Sequence, residues 1–412
     1  MKPLLLLLLA LPAVGQAQFT FNYATNNGTI TITGYTGPPG NALVIPSTWE
    51  GLPITSIGNS AFDGCISLKT ATISNNVSVI GASAFSGCSS LTNVSMGNNV
   101  TYIGSSAFAG CNLTRLSIGS GVTNIVGDPF NCASLWLITV NTNNSAYSSM
   151  FGWLFNKSQT KFIRCPPSNS SQDPIPSSVT SIADFAFQGC VNQTSIQIPN
   201  GVTNIGNWTF WNCANLTSVT IPNSVANIGG HVFRQCPKLN SVIIDNGIGS
   251  IGDNAFLYCT SLTNIVIPYS VTNIGSQAFT ACTNLTKIYF IGNAPHASSF
   301  VFFGDNKATI YYLPGTTNWT NPWQGCPAVC WNPQAQTSGV NFGIQTNQFG
   351  FTITGSSNLV VVVETCTNFS NPVWLPVSTN TLNTFAGTNG TYYFSDPQWT
   401  NASRRFYRFR SP

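Results

Sequence analysis

The sequence predicts an α/β solenoid, in which nine units of 23 residues stack their strands into a parallel sheet, followed by a small C-terminal all-β domain. Three observations predict this fold class. Cysteines recur every 23 residues, each with a phenylalanine three positions before it. Within a unit, apolar residues first recur with the spacing of a helical face and then alternate as in a strand with one buried face. The 23-residue period is lost beyond about residue 340.

The N-terminal residues predict a secreted or cell-surface protein. A short positive start is followed by an apolar stretch at residues 4–14 and by Gly15-Gln16-Ala17. This pattern is typical of a secretory signal peptide over residues 1–17, cleaved after Ala17. The alternative is a membrane anchor, but an apolar stretch of about 11 residues is too short for the ~30 Å hydrocarbon core. We therefore expect no transmembrane segment after cleavage.

Two short strand patterns precede the repeats. Residues 19–24 and 29–34 flank Asn26-Asn27-Gly28, a strong signal for a β-hairpin. We expect residues 18–53 to form an N-terminal β cap, because an open solenoid exposes its core and the edge of its sheet.

The solenoid is expected over residues 54–313. One unit is interpreted as a short helical turn followed by a short strand, which cannot bury its apolar side unless units stack. Residues 122–140 form a further unit around Phe130 and Cys132 with one residue deleted. The predicted repeat core consists of Phe62 and Cys65, Phe85 and Cys88, Phe108 and Cys111, Phe187 and Cys190, Phe210 and Cys213, Phe233 and Cys236, Phe256 and Cys259, and Phe279 and Cys282.

One interruption breaks the array at residues 141–178. The strand-like runs at 151–155 and 161–165 predict a β-hairpin that projects from the solenoid. Its aromatic residues either bind a ligand or pack on the flank of the solenoid. Packing is favoured, because large exposed apolar patches are uncommon.

The C-terminal part is expected to be a linker at residues 314–339 and a small β-sandwich-like domain at 340–412. Arg404, Arg405, Arg408 and Arg410 cluster near its end. They either contact an anionic partner or protect an edge strand from aggregation, and the second interpretation is favoured.

The cysteines of the repeats are expected to be buried thiols, because an unpaired cysteine behaves as a small hydrophobic residue. Thirteen cysteines is an odd number, so at least one is unpaired in a monomer. Cys326 and Cys330 are close enough in sequence for a local disulfide, but the pairing of Cys165, Cys326, Cys330 and Cys366 is left open.

The composition excludes several function classes. Only 6% of the 412 residues are charged, and 14 basic against 10 acidic residues give a net charge of +4. Nucleic-acid binding needs a dense basic surface, so we expect no nucleic-acid partner. Two histidines, His231 and His296, and ten carboxylates leave few groups for acid–base or metal chemistry. We expect no catalytic residue, metal site or cofactor.

The repeat Val-Thr-x-Ile-Gly-x-x-Ala-Phe-x-x-Cys-x-x-Leu-x-x-Ile-x-Ile-Pro recurs between about residues 54 and 293. It resembles the BspA-like class of bacterial leucine-rich repeats. The resemblance implies a secreted or surface-exposed solenoid, and some relatives act as adhesins. The departures are modest: Gln193 replaces a repeat leucine, and the third and fourth units are one residue short.

The exposed side of the repeat sheet is the predicted binding surface. Alternation points the residues five and seven positions after each cysteine outward, and most of these are small hydroxyl or amide residues. Ile243, Val266 and Tyr289 instead form an apolar column, beside Lys287. We predict that these four residues contact a ligand. Alternatively, they reflect strand propensity, or the C-terminal domain covers them.

The predicted function is a binding scaffold for an extracellular protein or glycan, similar to an adhesin. Two alternatives remain: a structural envelope component without a soluble ligand, and an extracellular enzyme with its site in the C-terminal region.

Overall fold

The computed structural model describes residues 19–37, 40–339, 342–345, 348–355, 360–367, 373–381, 390–401 and 405–410. The predicted signal peptide at residues 1–17 lies outside the described residues, as does Arg404. Within the described residues, no helix is long and apolar enough to cross a membrane.

The chain is built almost entirely of strands. The first part contains β1 (Thr20–Asn26), β2 (Thr29–Thr36), β3 (Ala42–Ile45), β4 (Thr48–Trp49), β5 (Leu52–Ile57), β6 (Thr70–Ile73), β7 (Val79–Ile80), β8 (Asn93–Ser95), β9 (Tyr102–Ile103), β10 (Arg115–Ile118), β11 (Asn124–Ile125) and β12 (Leu137–Val140). The interruption contributes β13 (Tyr147–Met150), β14 (Trp153–Asn156) and β15 (Lys161–Arg164).

The repeat then resumes with β16 (Ser181–Ile182), β17 (Ser195–Gln197), β18 (Asn204–Ile205), β19 (Ser218–Ile221), β20 (Asn227–Ile228), β21 (Ser241–Ile244), β22 (Ser250–Ile251), β23 (Asn264–Ile267), β24 (Asn273–Ile274), β25 (Lys287–Phe290), β26 (His296–Ala297), β27 (Thr309–Tyr312) and β28 (Ala328–Cys330). The C-terminal part contains β29 (Gln334–Gln336), β30 (Gly343–Gln345), β31 (Gln348–Gly355), β32 (Val360–Cys366), β33 (Leu375–Thr381), β34 (Gly390–Asp396), a 3₁₀ turn (Trp399–Asn401) and β35 (Phe406–Arg410).

The strands of the solenoid form two parallel rows. The longer strands pair in four parallel groups, β3-β6-β8, β10-β12, β17-β19-β21 and β23-β25-β27-β28, which we together call the front sheet. The short strands pair in two groups, β5-β7-β9-β11 before the interruption and β16-β18-β20-β22-β24-β26 after it, which we together call the back sheet. Strands in successive units pair one repeat apart, as Ser218 with Ser241 shows. The alternating sequence of each front strand places every second side chain in the core.

The segment expected to be a helical turn is not helical. Every second backbone N–H of the segment bonds to the next unit: the Phe85 N–H donates to the Ala107 carbonyl and the Gly87 N–H to the Ala109 carbonyl, both at 2.8 Å. An α-helix would satisfy these groups within the same segment. Ser83 and Gly87 also have positive φ angles, 55° and 68°, which interrupt a right-handed helix. The structure is therefore a β-solenoid, and the α/β description is corrected.

Two ladders of side chains fill the space between the sheets. The phenylalanine rings of successive units stack nearly parallel, as Phe85 and Phe108 do with centroids 5.5 Å apart. The repeat cysteines are buried, and most donate their thiol hydrogen to a phenylalanine carbonyl of the preceding unit, as Cys88 does to Phe62 at 3.1 Å. Glycine follows the repeat isoleucine, since a Cβ at Gly104 would lie 2.5 Å from the nitrogen of the preceding unit's turn.

No disulfide is found among the described residues. Cys326 is a buried free thiol, so a local disulfide from Cys326 to Cys330 is not formed. The extended strand Ala328–Cys330 carries Cys330 away from Cys326, at about 3.3 Å per residue. Cys165 and Cys366 are also buried free thiols.

The interruption does not project from the solenoid. Strands β14 and β15 are antiparallel, but β15 also pairs in parallel with β16 and so continues the back sheet. Trp153, Phe155 and Phe162 are fully buried, and Phe162 stacks on Phe187 with centroids 4.5 Å apart. Arg164 is also buried and lies 3.3 Å from the Asp128 carboxylate. The segment thus replaces a repeat unit in the stack, and its aromatic residues are core.

Both ends of the solenoid are covered. Strands β1 and β2 form an antiparallel hairpin, and β2 pairs with β5. At the other end, β28 pairs with β27, so residues 314–339 contribute to the front sheet rather than forming only a linker. Two antiparallel sheets follow, one with β29, β30, β31 and β34 and the other with β33, β32 and β35. Their core residues Phe351 and Val363 share a cluster with Tyr289 and Tyr311 of the front sheet.

Candidate functional site

The outer face of the front sheet is a long, almost uncharged surface. In β23, Ile265 and Ile267 are buried whereas Asn264 and Val266 are exposed, as alternation requires. The second outward position is exposed in each successive unit of the repeat, at Thr72, Ser95, Ser117, Thr139, Gln197, Thr220, Ile243 and Val266. This face therefore offers a row of uncharged contact points at about 4.8 Å spacing.

The predicted apolar column is shorter than expected. Ile243 is 54% exposed and Val266 is 40% exposed, but Tyr289 is only 4% exposed. The Tyr289 ring stacks on Tyr311 with centroids 5.2 Å apart, and both rings pack against Phe351 of the C-terminal sheets. Tyr289 is therefore not presented to a partner, which corrects its assignment as a contact residue. Tyr289 is buried because a distant part of the chain packs on it. The repeat pattern holds no information on that contact.

Few charges border this face. Lys287 is half-buried next to the covered tyrosine. Arg115 lies on the outer face of β10, with its guanidinium carbon 4.7 Å from the centroid of the Trp136 ring. The face therefore offers shape and neutral hydrogen-bonding groups more than charge.

The arginine cluster near the C-terminus is neutralised internally. Arg408 lies 2.7 Å from Glu364, Arg410 also pairs with Glu364, and Arg405 lies 2.8 Å from Asp396. Burial alone would raise the pKa of Glu364, but hydrogen bonds from Arg410 and Arg408 bring it below its usual value. Strand β35 lies at the edge of its sheet. The described arginines therefore belong to ion pairs on an edge strand.

Two other carboxylates, Asp128 and Asp305, lie in the interior of the protein. Burial raises the pKa of Asp128, and the neighbouring Arg164 opposes this effect. Asp305 is 3% exposed, and burial raises its pKa to about 8. In the part of the chain that the structure describes, no group of three His, Cys, Asp or Glu residues is placed to hold a metal ion.

Cavities occur mainly where the repeat is interrupted or ends. A cavity of about 460 Å³ at the C-terminal end of the solenoid is lined by Phe300, Phe303, Asp305 and Cys326, among others. A cleft of about 420 Å³ lies between the interruption and the resumed repeat, where Tyr147, Lys161, Asp184 and Phe185 meet. The regular part of the front sheet instead presents a continuous face.

A second surface was missed from the sequence. One turn position of each unit has a positive φ angle and carries Ser60, Ser83 and Ser106 in the first units. The same position carries Phe185, Trp208, His231, Asn254, Gln277 and Phe300 in later units. Alignment of the units on their cysteines would have revealed this change, because the position lies five residues before each repeat cysteine.

Comparison with known proteins agrees with the repeat architecture. The sequence profile of the BspA type leucine rich repeat region matches residues 55–174 and 158–286. A leucine rich cell surface protein from Faecalibacterium prausnitzii A2-165 is 27% identical, with a TM-score of 0.51, over 68% of this chain and 94% of that chain.

The pneumococcal vaccine antigen PcpA is 15% identical, with a TM-score of 0.54, over 73% of this chain and 93% of that chain, a likeness of fold alone. No curated protein matches the sequence. The profile covers more than half of the chain and its repeats coincide with the observed units, so this protein belongs to the family with BspA type leucine-rich repeats.

Proposed function

We propose that this protein is a secreted or cell-surface scaffold that binds an extracellular protein or glycan through the outer face of its front sheet. The observation that carries the proposal is the row of exposed, uncharged side chains from Thr72 to Val266 on a rigid stack of strands. A rigid surface loses little conformational freedom on binding, so many weak contacts can sum to useful affinity. The cell-surface description of the Faecalibacterium relative supports the location.

Ile243 and Val266 are the proposed centre of contact. They occupy the same outward position in consecutive units and are more exposed than is usual for large apolar residues. Lys287 marks the border where the C-terminal sheets begin to cover the front sheet. The Faecalibacterium relative is described as a cell surface protein. We expect a binding role and no enzymatic activity from this chain.

We also propose that the solenoid consists of nine 23-residue units and that residues 340–412 form a separate domain. In support, β31 to β35 pair with one another and with β29 and β30 in two antiparallel sheets, whereas the solenoid strands pair one repeat apart.

The test compares the full chain with the double variant Ile243→Ser and Val266→Ser on arrays of extracellular matrix proteins and glycans. We expect the variant to bind its partner about tenfold more weakly, because two exposed apolar contacts are lost. The melting temperature should hardly change, since both side chains point to solvent. Thr72→Ser, at the same outward position near the other end of the sheet, is the matched control. Equal binding by all three proteins would contradict the proposed contact site.

A further inference from the structure

The turn position with positive φ changes its chemistry along the solenoid. Ser83 and Ser106 occupy it with φ angles of 55° and 56°, whereas Phe185, Trp208 and His231 occupy it in three consecutive later units at 59° to 60°. Left-handed backbone is unfavourable for any residue with a Cβ and is least suited to bulky side chains. Bulky rings that persist at strained positions, where the first units use serine, indicate a role other than folding.

These rings form an organised surface. Trp208 stacks on His231 with centroids 3.7 Å apart and planes within 5°, and Phe185 stacks on the other side of Trp208 at 6.4 Å. Trp211 is turned 69° away from Trp208, and its indole N–H donates to the Gln235 side-chain oxygen at 2.7 Å. The indole of Trp211 is therefore held in a fixed orientation beside the stack.

The same arrangement returns at the end of the solenoid. Phe300 and Phe303 occupy the positions of Trp208 and Trp211 four units later, and their rings are turned 84° from each other. They are 61% and 65% exposed, and Tyr258 between them and the stack is 47% exposed. We call this row of seven residues the aromatic edge: Phe185, Trp208, Trp211, His231, Tyr258, Phe300 and Phe303.

The aromatic edge is nearly neutral and carries amides between its rings. Asn254 and Gln277 occupy the turn position in the two intervening units. Burial and the nearby Arg234 lower the pKa of His231, against the opposing charge of Asp253, so the imidazole is uncharged at neutral pH. Asp253 itself accepts a hydrogen bond from the Ser276 backbone N–H at 2.7 Å. Flat rings alternate here with groups that donate and accept neutral hydrogen bonds.

We propose that the aromatic edge binds an extended, uncharged polysaccharide. A pyranose ring has an apolar C–H face that packs on the face of an aromatic ring, and hydroxyl groups that hydrogen-bond to amides. The stacked rings of Phe185, Trp208 and His231 cover one another's faces, so the sugar faces would pack on rings turned out of the stack, such as Trp211 and Phe303. Successive units rise by about 4.8 Å, a distance comparable to the length of one hexopyranose residue. Trp211 and Phe303, four units apart, are therefore separated by roughly 20 Å along the stack. An extended sugar chain matches this periodicity, whereas a protein partner would need a contiguous apolar centre.

The experiment measures depletion of the full chain from solution by insoluble cellulose, chitin, xylan, mannan and starch. The double variant Trp208→Ser and Trp211→Ala introduces residues that the same positions carry at Ser83 and Ala109, so the fold should tolerate it. We expect binding to at least one of the five polysaccharides, weakened about tenfold or more in the double variant. Binding should persist in about 1 M NaCl, where the Debye length is only ~3 Å.

Trp136→Ala is the matched control, because Trp136 is an exposed tryptophan outside the aromatic edge. It should leave binding unchanged. Phe303→Ala provides an independent variant at a highly exposed position and should also weaken binding. The proposal is overturned if none of the five polysaccharides binds, if both aromatic-edge variants bind like the unaltered chain, or if binding is lost in salt. The variants at Ile243 and Val266 test the front sheet separately, so either proposal can fail alone.

Discussion

Asp305 should make the last part of the solenoid sensitive to pH. It lies 23 residues after Cys282 and takes the place of the next cysteine in the ladder. Its backbone N–H donates to the Phe302 carbonyl at 3.1 Å, as the Cys282 N–H does to Phe279 at 3.2 Å. The carboxyl group is buried, and within the described residues neither of its oxygens has a hydrogen-bond partner. Two titratable groups face it, the thiols of Cys282 and Cys326, and the charge of Asp305 helps burial to raise the pKa of both.

The raised pKa of Asp305 determines whether the protein gains or loses stability as pH rises. Burial raises the pKa of Asp305 to about 8 from 3.8, and the nearby polar backbone of Cys282 opposes this only in part. Between these values the folded protein keeps a proton that the unfolded chain has lost. Stability is therefore fully present below about pH 4 and falls as pH rises towards 8, by about 1.4 kcal/mol per pH unit. Between pH 5 and 8 the loss amounts to roughly 4 kcal/mol.

The test uses Asp305→Cys, which extends the cysteine ladder, and Asp305→Asn, which keeps the size of the side chain without its charge. Urea unfolding is followed at pH 5, 6, 7 and 8, with hydrogen exchange at β27 and β28 to report on the end of the solenoid. We expect the unaltered protein to lose stability with rising pH and both variants to lose much less. Identical pH profiles for the three proteins would refute the reasoning.

Two further predictions concern the core and the C-terminal sheets. Phe233→Ala should lower the free energy of unfolding by about 3–5 kcal/mol, because it empties a fully buried site in the phenylalanine ladder. Urea unfolding measures this loss. A much smaller loss would show that neighbouring side chains fill the gap. The pairs of Glu364 with Arg408 and Arg410 should stabilise the C-terminal sheets above the pKa of an unfolded glutamate and fail as pH falls through the lowered folded value. Proteolysis at pH 3 should therefore begin at β32 and β35, and Glu364→Gln should show the same susceptibility at pH 7.

Much of the architecture could be predicted from the sequence, because each unit repeats the same core contacts. The spacing of Phe85 and Cys88 defines the unit, and the alternation in strands such as β23 defines which side chains face outward. The helical turn could not be excluded, since a wide turn also directs residues three and four apart into the core. The left-handed backbone at Ser83 and the hydrogen bonds to the next unit distinguish the two.

The site was harder to predict, because it depends on contacts between parts distant in sequence. Tyr289 follows the outward pattern of its strand, yet the C-terminal sheets cover it. The two strand-like runs of the interruption predicted a projecting hairpin, with its aromatic residues packed on the flank of the solenoid. Trp153 and Phe162 instead fill the core where a repeat is missing. The aromatic edge was not predicted, because its residues lie in turns. The periodic apolar pattern of those turns marks the buried residues and not their exposed neighbours.

The cysteine ladder gives nearly every unit its own chemical reporter. Burial raises the pKa of Cys213, Cys259 and Cys282 well above the usual value, so hardly any thiolate is available for alkylation or oxidation while the units stay closed. A thiol becomes reactive only when its own segment opens. The protein can be exposed briefly to an alkylating reagent during gentle denaturation, and each modified peptide identified by mass spectrometry. The order of modification gives the order in which the units unfold.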